Sequence, residues 1–201
     1  MKTFDFYFDF GSPAAYLAFT QIAKLQTETG STAIYKPMLL GGVFQATGNH
    51  SPATIPAKGK YTFKDFSRYA KRYGVPFGAN KHFPINTLTL MRGAVGLQRT
   101  QADSQADSFI PYCEAVYKAI WVDGLDMNDP AVVGKVLAAA GFEPMALLAL
   151  CGEQATKDAL KAITEEAVTR GVFGAPTFFV GDEMFWGQDR IEWVREALTA
   201  I

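Results

Sequence analysis

Ser12 stands directly before Pro13 in the stretch FYFDFGSPAAYLA, residues 6–18, and this pair is where residue type and spacing first suggest chemistry. A serine followed by proline suits a helix start, because the hydroxyl accepts from an orphan N–H and the pyrrolidine ring presets a helical φ. The same hydroxyl can donate a hydrogen bond to an anion held at the helix end, where free N–H groups and the positive end of the helix dipole converge. The dipeptide alone admits both readings. A residue between a strand and the helix that follows it also lies where ligands of α/β sheets tend to bind.

The flanking pattern supplies that strand and helix. Phe4, Phe6, Phe8 and Phe10 alternate with Asp5, Tyr7 and Asp9, the period of two that marks a strand. After Pro13, apolar residues at Tyr16, Phe19, Ile22 and Ala23 recur at helical spacing up to Gly30, and STAIYKPML then reads as a second strand. The opening β, α, β order predicts a right-handed crossover between parallel strands. Residues 41–60, GGVFQATGNHSPATIPAKGK, are dense in Gly, Pro, Asn and Ser and read as a long loop. From about residue 61 to 154 the pattern is helical, broken near YGVPFGANKHFP, DGLDMNDP and GFEP. An amphipathic helix over GEQATKDALKAITEEAVTRG follows, then a hairpin APTFFVGDEMFWG with a Gly-Asp turn, and a closing helix for which Asp189 is the expected N-cap. The predicted fold class is therefore α/β, a thioredoxin-like domain formed by residues 1–40 and 155–201 and interrupted by an all-α helical insert over 41–154.

Composition narrows the function. With 201 residues, 49% hydrophobic, 19% charged and a net charge of −1, the chain has neither a disordered composition nor the basic excess that phosphate neutralisation requires, so nucleic acid is not an expected partner. The N-terminal run carries Asp5 and Asp9 and no cleavage-site pattern, and no apolar run reaches membrane-spanning length. Cys113 and Cys151 are far apart, without a CxxC motif or a zinc-ligand cluster. A cytoplasmic protein with two reduced, helix-borne thiols and no metal is expected. His50 and His82 share no ligand spacing, and Lys58 and Lys60 read as solvated loop charges.

Taken together, FYFDFGSPAAYLA, Gly48-Asn49, FPINTL at 83–88 and GVFGAPTFFVGDEMFWGQDR at 171–190 resemble the 2-hydroxychromene-2-carboxylate isomerase family, a branch of the kappa-class glutathione transferases and DsbA-like proteins. The similarity runs nearly the whole chain. It implies a glutathione-dependent enzyme and a homodimer. In a dithiol oxidoreductase of this fold the helix would begin Cys-x-x-Cys, whereas these positions here are Ser12-Pro13-Ala14-Ala15, which excludes disulfide exchange at the site. A serine hydroxyl can instead hydrogen-bond a thiolate carried in by glutathione and lower its pKa. A free thiol of pKa about 8.5 needs roughly 2.7 kcal/mol to move down by about two units. A hydroxyl bond to charge, at about 1.5–3 kcal/mol, and a helix-end contribution of about 0.3–1 kcal/mol cover this without a general base.

The resemblance also assigns roles to other positions. It implies a cis Ala175-Pro176 bond, against the trans bond that base rates favour, and backbone pairing of Ala175 with the cysteinyl unit of glutathione. It places Trp186, Gly187, Gln188, Asp189 and Arg190 around the γ-glutamyl end, with Asp189 accepting from the α-ammonium; Arg190 reads equally as a surface charge. It makes Asn49, Asn86 and Thr87 the substrate contacts, although loop asparagines by themselves are ordinary turn formers. The implied substrate is a small aromatic keto acid: 2-hydroxychromene-2-carboxylate, interconverted with trans-o-hydroxybenzylidenepyruvate in aromatic-hydrocarbon breakdown by reversible addition of the Ser12-held thiolate. Two rivals remain, a kappa-type transferase that conjugates an electrophile and a non-catalytic thiol- or peptide-binding module.

Overall fold

Phe4, Phe6 and Phe8 alternate along the first strand, β1 (Thr3–Phe8), and each is at most 1% exposed. Their rings share one face, with Phe6 5.3 Å from Phe8 and 5.2 Å from Phe178. Tyr7, on the opposite face, is just as buried, among Met38, Val43, Ala167, Val172 and Phe179. Both faces of the sheet are therefore covered, which accounts for aromatic residues at four of the six positions of β1. The computed structural model describes residues 2–101 and 108–200.

The expected β-α-β opening is present. β1 pairs in parallel with β2 (Thr32–Pro37), joined by α1 (Pro13–Thr29), which ends at Gly30 in the left-handed region at φ 64°. On its other side β1 pairs antiparallel with β3 (Thr177–Val180), and β3 with β4 (Glu183–Trp186) across the Gly181-Asp182 turn. The sheet order is β2-β1-β3-β4.

Residues 41–60 are not the long loop that their composition predicts. They contribute to α2 (Leu40–Thr47), a 3-10 turn (Pro52–Thr54) and the start of α3 (Pro56–Tyr73). Pro52 and Pro56 open their helical segments, where a missing N–H costs nothing, and Gly48 ends α2 at φ 72°. Gly42 and Gly59 serve close packing: a Cβ on Gly42 would stand 3.3 Å from Thr164 Cγ2, and one on Gly59 3.2 Å from Ala53 Cα. Dense Gly and Pro here mark caps and contacts between helices.

The chain continues through α4 (Leu88–Gln101), α5 (Phe109–Trp121), α6 (Pro130–Ala139), α7 (Pro144–Gly152) and α8 (Gln154–Thr169), and closes with α9 (Ile191–Ala200). Among the described residues the segment between β2 and β3 is without strands, as expected of a helical insert. Cys113 and Cys151 are buried on α5 and α7. Among the described residues no helix is long and apolar enough to cross a membrane, and no cluster of His, Cys, Asp or Glu could hold a metal.

Trp121 ties the insert to the loop that follows β1. It is fully buried, its Nε1 donates to the Phe10 carbonyl at 2.8 Å, and its ring lies 6.2 Å from Phe77 and 6.0 Å from Phe83. Trp121→Phe removes the donor from a buried carbonyl and leaves a void, so a loss of about 2–4 kcal/mol is expected. Urea unfolding measures it, and a midpoint unchanged from wild type would show that Phe10 finds another donor.

Candidate active site

The strand leaves Ser12 at the end of a tight turn. Ser12 N donates to the Asp9 carbonyl at 3.0 Å, and the backbone of Ser12 is extended, at φ −97° and ψ 113°, before α1 begins at Pro13. Its Oγ accepts from Ala15 N at 3.1 Å, so Ser12 does cap the helix. The hydroxyl also donates to the Ala175 carbonyl at 2.8 Å, and Ala175-Pro176 is a cis bond. One side chain thus joins the helix start to the segment before β3. Ser12 is 5% exposed, on the floor of a cleft of about 720 Å3.

Every expected site residue except Asn86 lines that cleft. Asn86 is exposed: its side chain accepts from Leu88 N at the start of α4, and its N–H donates to Asn128. Thr87, its neighbour, is buried at the cleft wall. Asn49 is engaged at both ends, donating through Nδ2 to Phe173 O at 2.8 Å and accepting from His50 N. It ties the connection between α2 and α3 to the segment that carries Ala175.

The opposite wall is the turn from β4 to α9. Trp186 is 47% exposed, with its ring 4.9 Å from Phe173, and Gly174 leaves room for its indole: a Cβ there would stand 2.6 Å from Trp186 Nε1. Gly187 N donates to Pro176 O at 3.0 Å, and the Gln188 carbonyl accepts from Tyr73 Oη of α3 at 2.6 Å. Burial pushes the Tyr73 hydroxyl up to about 12, which keeps its proton on at neutral pH. Asp189 is not the N-cap that the sequence suggests. It sits inside a 3-10 turn, Gln188–Arg190, that precedes α9, and pairs with Arg190 at 2.5 Å. The competing preference is that turn, which consumes the capping position. The Arg190 guanidinium lies 5.2 Å from the Trp193 ring centre.

Gly187 adopts φ 113° and ψ 152°, a region open essentially to glycine alone, and a Cβ would collide with the Asp189 carboxylate. Gly187→Ala is expected to cost about 1–3 kcal/mol and to displace Asp189 from the wall. Chemical denaturation reads the loss; equal stability would mean that the turn relaxes without strain.

Asp9 is the site residue that sequence reasoning missed. It is 2% exposed and borders the cleft; its Oδ1 accepts from Gly11 N at 2.8 Å and Thr87 Oγ1 at 2.7 Å, and its Oδ2 from Leu40 N at 2.8 Å. One carboxyl gathers the Ser12 turn, the start of α2 and the start of α4. Burial raises its pKa against the three donors, which pull it down. The Asp9-Phe10-Gly11 spacing, an acid two residues before glycine, is the one local signal it leaves.

Glutathione fits these residues. Ser12 offers a donor at a helix start, Ala175 a backbone carbonyl whose hydrogen bond from Ser12 an incoming acceptor can displace, and Asp189 a carboxylate on the wall of the same cleft. The arrangement puts a hydroxyl donor and a carboxylate acceptor on the wall of one cleft.

Comparison with known proteins identifies the family. The DSBA-like thioredoxin domain family matches residues 3–199. A 2-hydroxychromene-2-carboxylate isomerase of Pseudomonas putida is 34% identical, covering 98% of this chain and 94% of its own. Glutathione S-transferase kappa 2 of Caenorhabditis elegans is 28% identical, over 98% and 92% of the two chains. A solved structure of a 2-hydroxychromene-2-carboxylate isomerase superposes with a TM-score of 0.84 at 30% identity, covering 98% of this chain and 95% of that one. With a DsbA-like thioredoxin fold, a serine where exchange chemistry needs cysteine, and this degree of identity over nearly its full length, the chain belongs to the 2-hydroxychromene-2-carboxylate isomerase family of enzymes within the DSBA-like thioredoxin domain family.

Proposed function

We propose that this protein is a glutathione-dependent isomerase that interconverts 2-hydroxychromene-2-carboxylate and trans-o-hydroxybenzylidenepyruvate, acting in the cytoplasm as a homodimer. The observation that carries the reading is the Ser12 hydroxyl, which accepts from the start of α1 and donates to the Ala175 carbonyl on the cleft floor. When bound, glutathione supplies the nucleophilic sulfur whose reversible addition to an electron-poor carbon permits rotation about a former double bond.

The chain's own residues do the rest. Ser12 redirects its single proton from the neutral Ala175 carbonyl to the anionic sulfur, because a charge-assisted bond is about twice as strong as a neutral one. That switch frees the Ala175 carbonyl to accept from a peptide N–H, so thiolate and backbone are recognised together. Asp189 and the 187–190 turn receive the γ-glutamyl end, and Arg190 balances the Asp189 charge. Phe44, Phe83 and Ile85 on the cleft wall give an aromatic acid an apolar seat, with Asn49 and Thr87 beside it. Asn86, outside that wall, is proposed to act only by starting α4 next to Thr87.

A kappa-type transferase would use the same cleft, and the kappa relative supports it as the second reading. Chromatography of glutathione and 2-hydroxychromene-2-carboxylate with catalytic enzyme separates the two. The expected result is equilibration of substrate and product at constant glutathione. Stoichiometric loss of the thiol would establish the transferase, and no turnover with unshifted ultraviolet thiolate absorbance of bound glutathione would leave a binding module.

A further inference from the structure

A second cavity, of about 830 Å3, lies on the other side of α2 and the start of α4 from the cleft. Leu39 and Leu88 line it, whereas their neighbours Leu40 and Thr87 line the cleft, so the two cavities share a thin wall. Arg92, one turn into α4, faces into this second cavity, and its Nε is shielded from solvent without a hydrogen-bond partner. A buried guanidinium nitrogen left without an acceptor is costly, and among the described residues no carboxylate pairs with Arg92.

That nitrogen is closed to an incoming oxygen, so a ligand in the cavity meets the outer part of the guanidinium, and the rest of the wall points to the kind of ligand. Lys157 and Lys161 of α8 add positive charge, and Asp158 and Glu165 add negative charge. Lys161 is paired with Glu165 at 3.7 Å, while Asp158, which accepts from the neutral Gln154 amide at 2.8 Å, keeps its charge, so Arg92 and Lys157 together leave one positive charge to be answered. With three cations against two acids, the cavity favours a single negative charge over a dianion. Leu39, Leu88 and Leu160 supply apolar surface in the same cavity.

We propose that this cavity binds a monoanionic carboxylate with an apolar body, the carboxylate held by Arg92 and Lys157 and the body laid on Leu39, Leu88 and Leu160. The planar fork of Arg92 matches a carboxylate in two-point fashion, which an ammonium cannot do. The site is independent of the isomerase reading, since none of its residues touches Ser12 or the turn at 187–190.

The test titrates the full-length protein with 2-naphthoate and follows methyl NMR signals of the leucines around the cavity. Saturable shifts at Leu39, Leu88 and Leu160 are expected, with affinity falling at least tenfold in Arg92→Met and several-fold in Lys157→Met. 2-Naphthyl phosphate is expected to bind more weakly than 2-naphthoate. Shifts that appear only around Ser12 and Trp186, equal affinity in both variants, tighter binding of the phosphate, or no saturation would each overturn the proposal. Lys157→Met, on the face of α8, decides the matter should Arg92→Met fail to fold.

Discussion

Ser12→Ala is expected to lower turnover at neutral pH by roughly 10- to 150-fold, the equivalent of about 1.5–3 kcal/mol lost from one hydrogen bond to a charged sulfur. The loss has a recognisable pH signature. Without the hydroxyl the thiol of bound glutathione titrates about one to two units higher, so activity returns as pH rises towards the range of a free thiol. The same change removes an N-cap that accepts from Ala15 N, at a cost of about 0.5–2 kcal/mol of stability, and leaves the Ala175 carbonyl without its donor. Ser12→Gly separates the two roles. Glycine costs an N-cap only a few tenths of a kcal/mol, and the Ala175 carbonyl loses its donor in both variants, so Ser12→Gly should be more stable than Ser12→Ala and still lose turnover to the same extent. Activity and ultraviolet thiolate titration of both variants, set beside their melting curves, decide between the roles. Should only melting change, Ser12 is a cap and the sulfur is activated elsewhere.

The parts of the site that could be read from the sequence are those whose meaning is local. Ser12-Pro13 after an aromatic strand marks a helix start wherever it occurs, whereas for Ala175-Pro176 the local pattern gives only a strand entry and the cis bond comes from the family resemblance. Residues 41–60 misled because glycine and proline have two uses, turning the chain and allowing close contact. Gly42 against Thr164 is the second use, and Thr164 is far away in the chain. Asp189 misled for a related reason: an acid before a helical pattern predicts a cap, but Gly187 at positive φ starts a 3-10 turn one step earlier. Asn86 and Thr87 were indistinguishable in FPINTL, yet the start of α4 leaves the first exposed and buries the second. Arg92 in a helical run of mixed polarity has no signal at all. Its lack of an acceptor is a fact about α8 and α2, and it exists only once they pack.

Asp9→Ala is expected to cost about 2–4 kcal/mol, because it removes at once the acceptor of the buried Thr87 hydroxyl and of the half-buried N–H groups of Gly11 and Leu40, and a fully buried donor left unsatisfied costs about 1–3 kcal/mol. The Thr87 hydroxyl can rotate towards another acceptor, and the two backbone donors cannot. Turnover should fall with stability, since the Ser12 turn, α2 and the start of α4 lose their common anchor. Asp9→Asn is milder and more informative. Its amide oxygen can still serve Gly11 and Thr87, but its NH2 faces the Leu40 N–H. It also removes the titration. The folded protein holds the Asp9 proton more tightly than the unfolded chain, because burial raises the pKa. Between the ordinary value of about 3.9 and the raised one, the native state therefore binds more protons, and this group's contribution to stability falls as pH rises through that window. Buried carboxylates whose charged form is favoured behave in the opposite way, losing stability as pH falls. The stability advantage of wild type over Asp9→Asn should accordingly be largest near pH 4 and shrink towards pH 7, as urea midpoints at several pH values would show. An advantage that grows with pH instead would mean that the three donors outweigh burial, and that Asp9 sits in the site as a permanent anion.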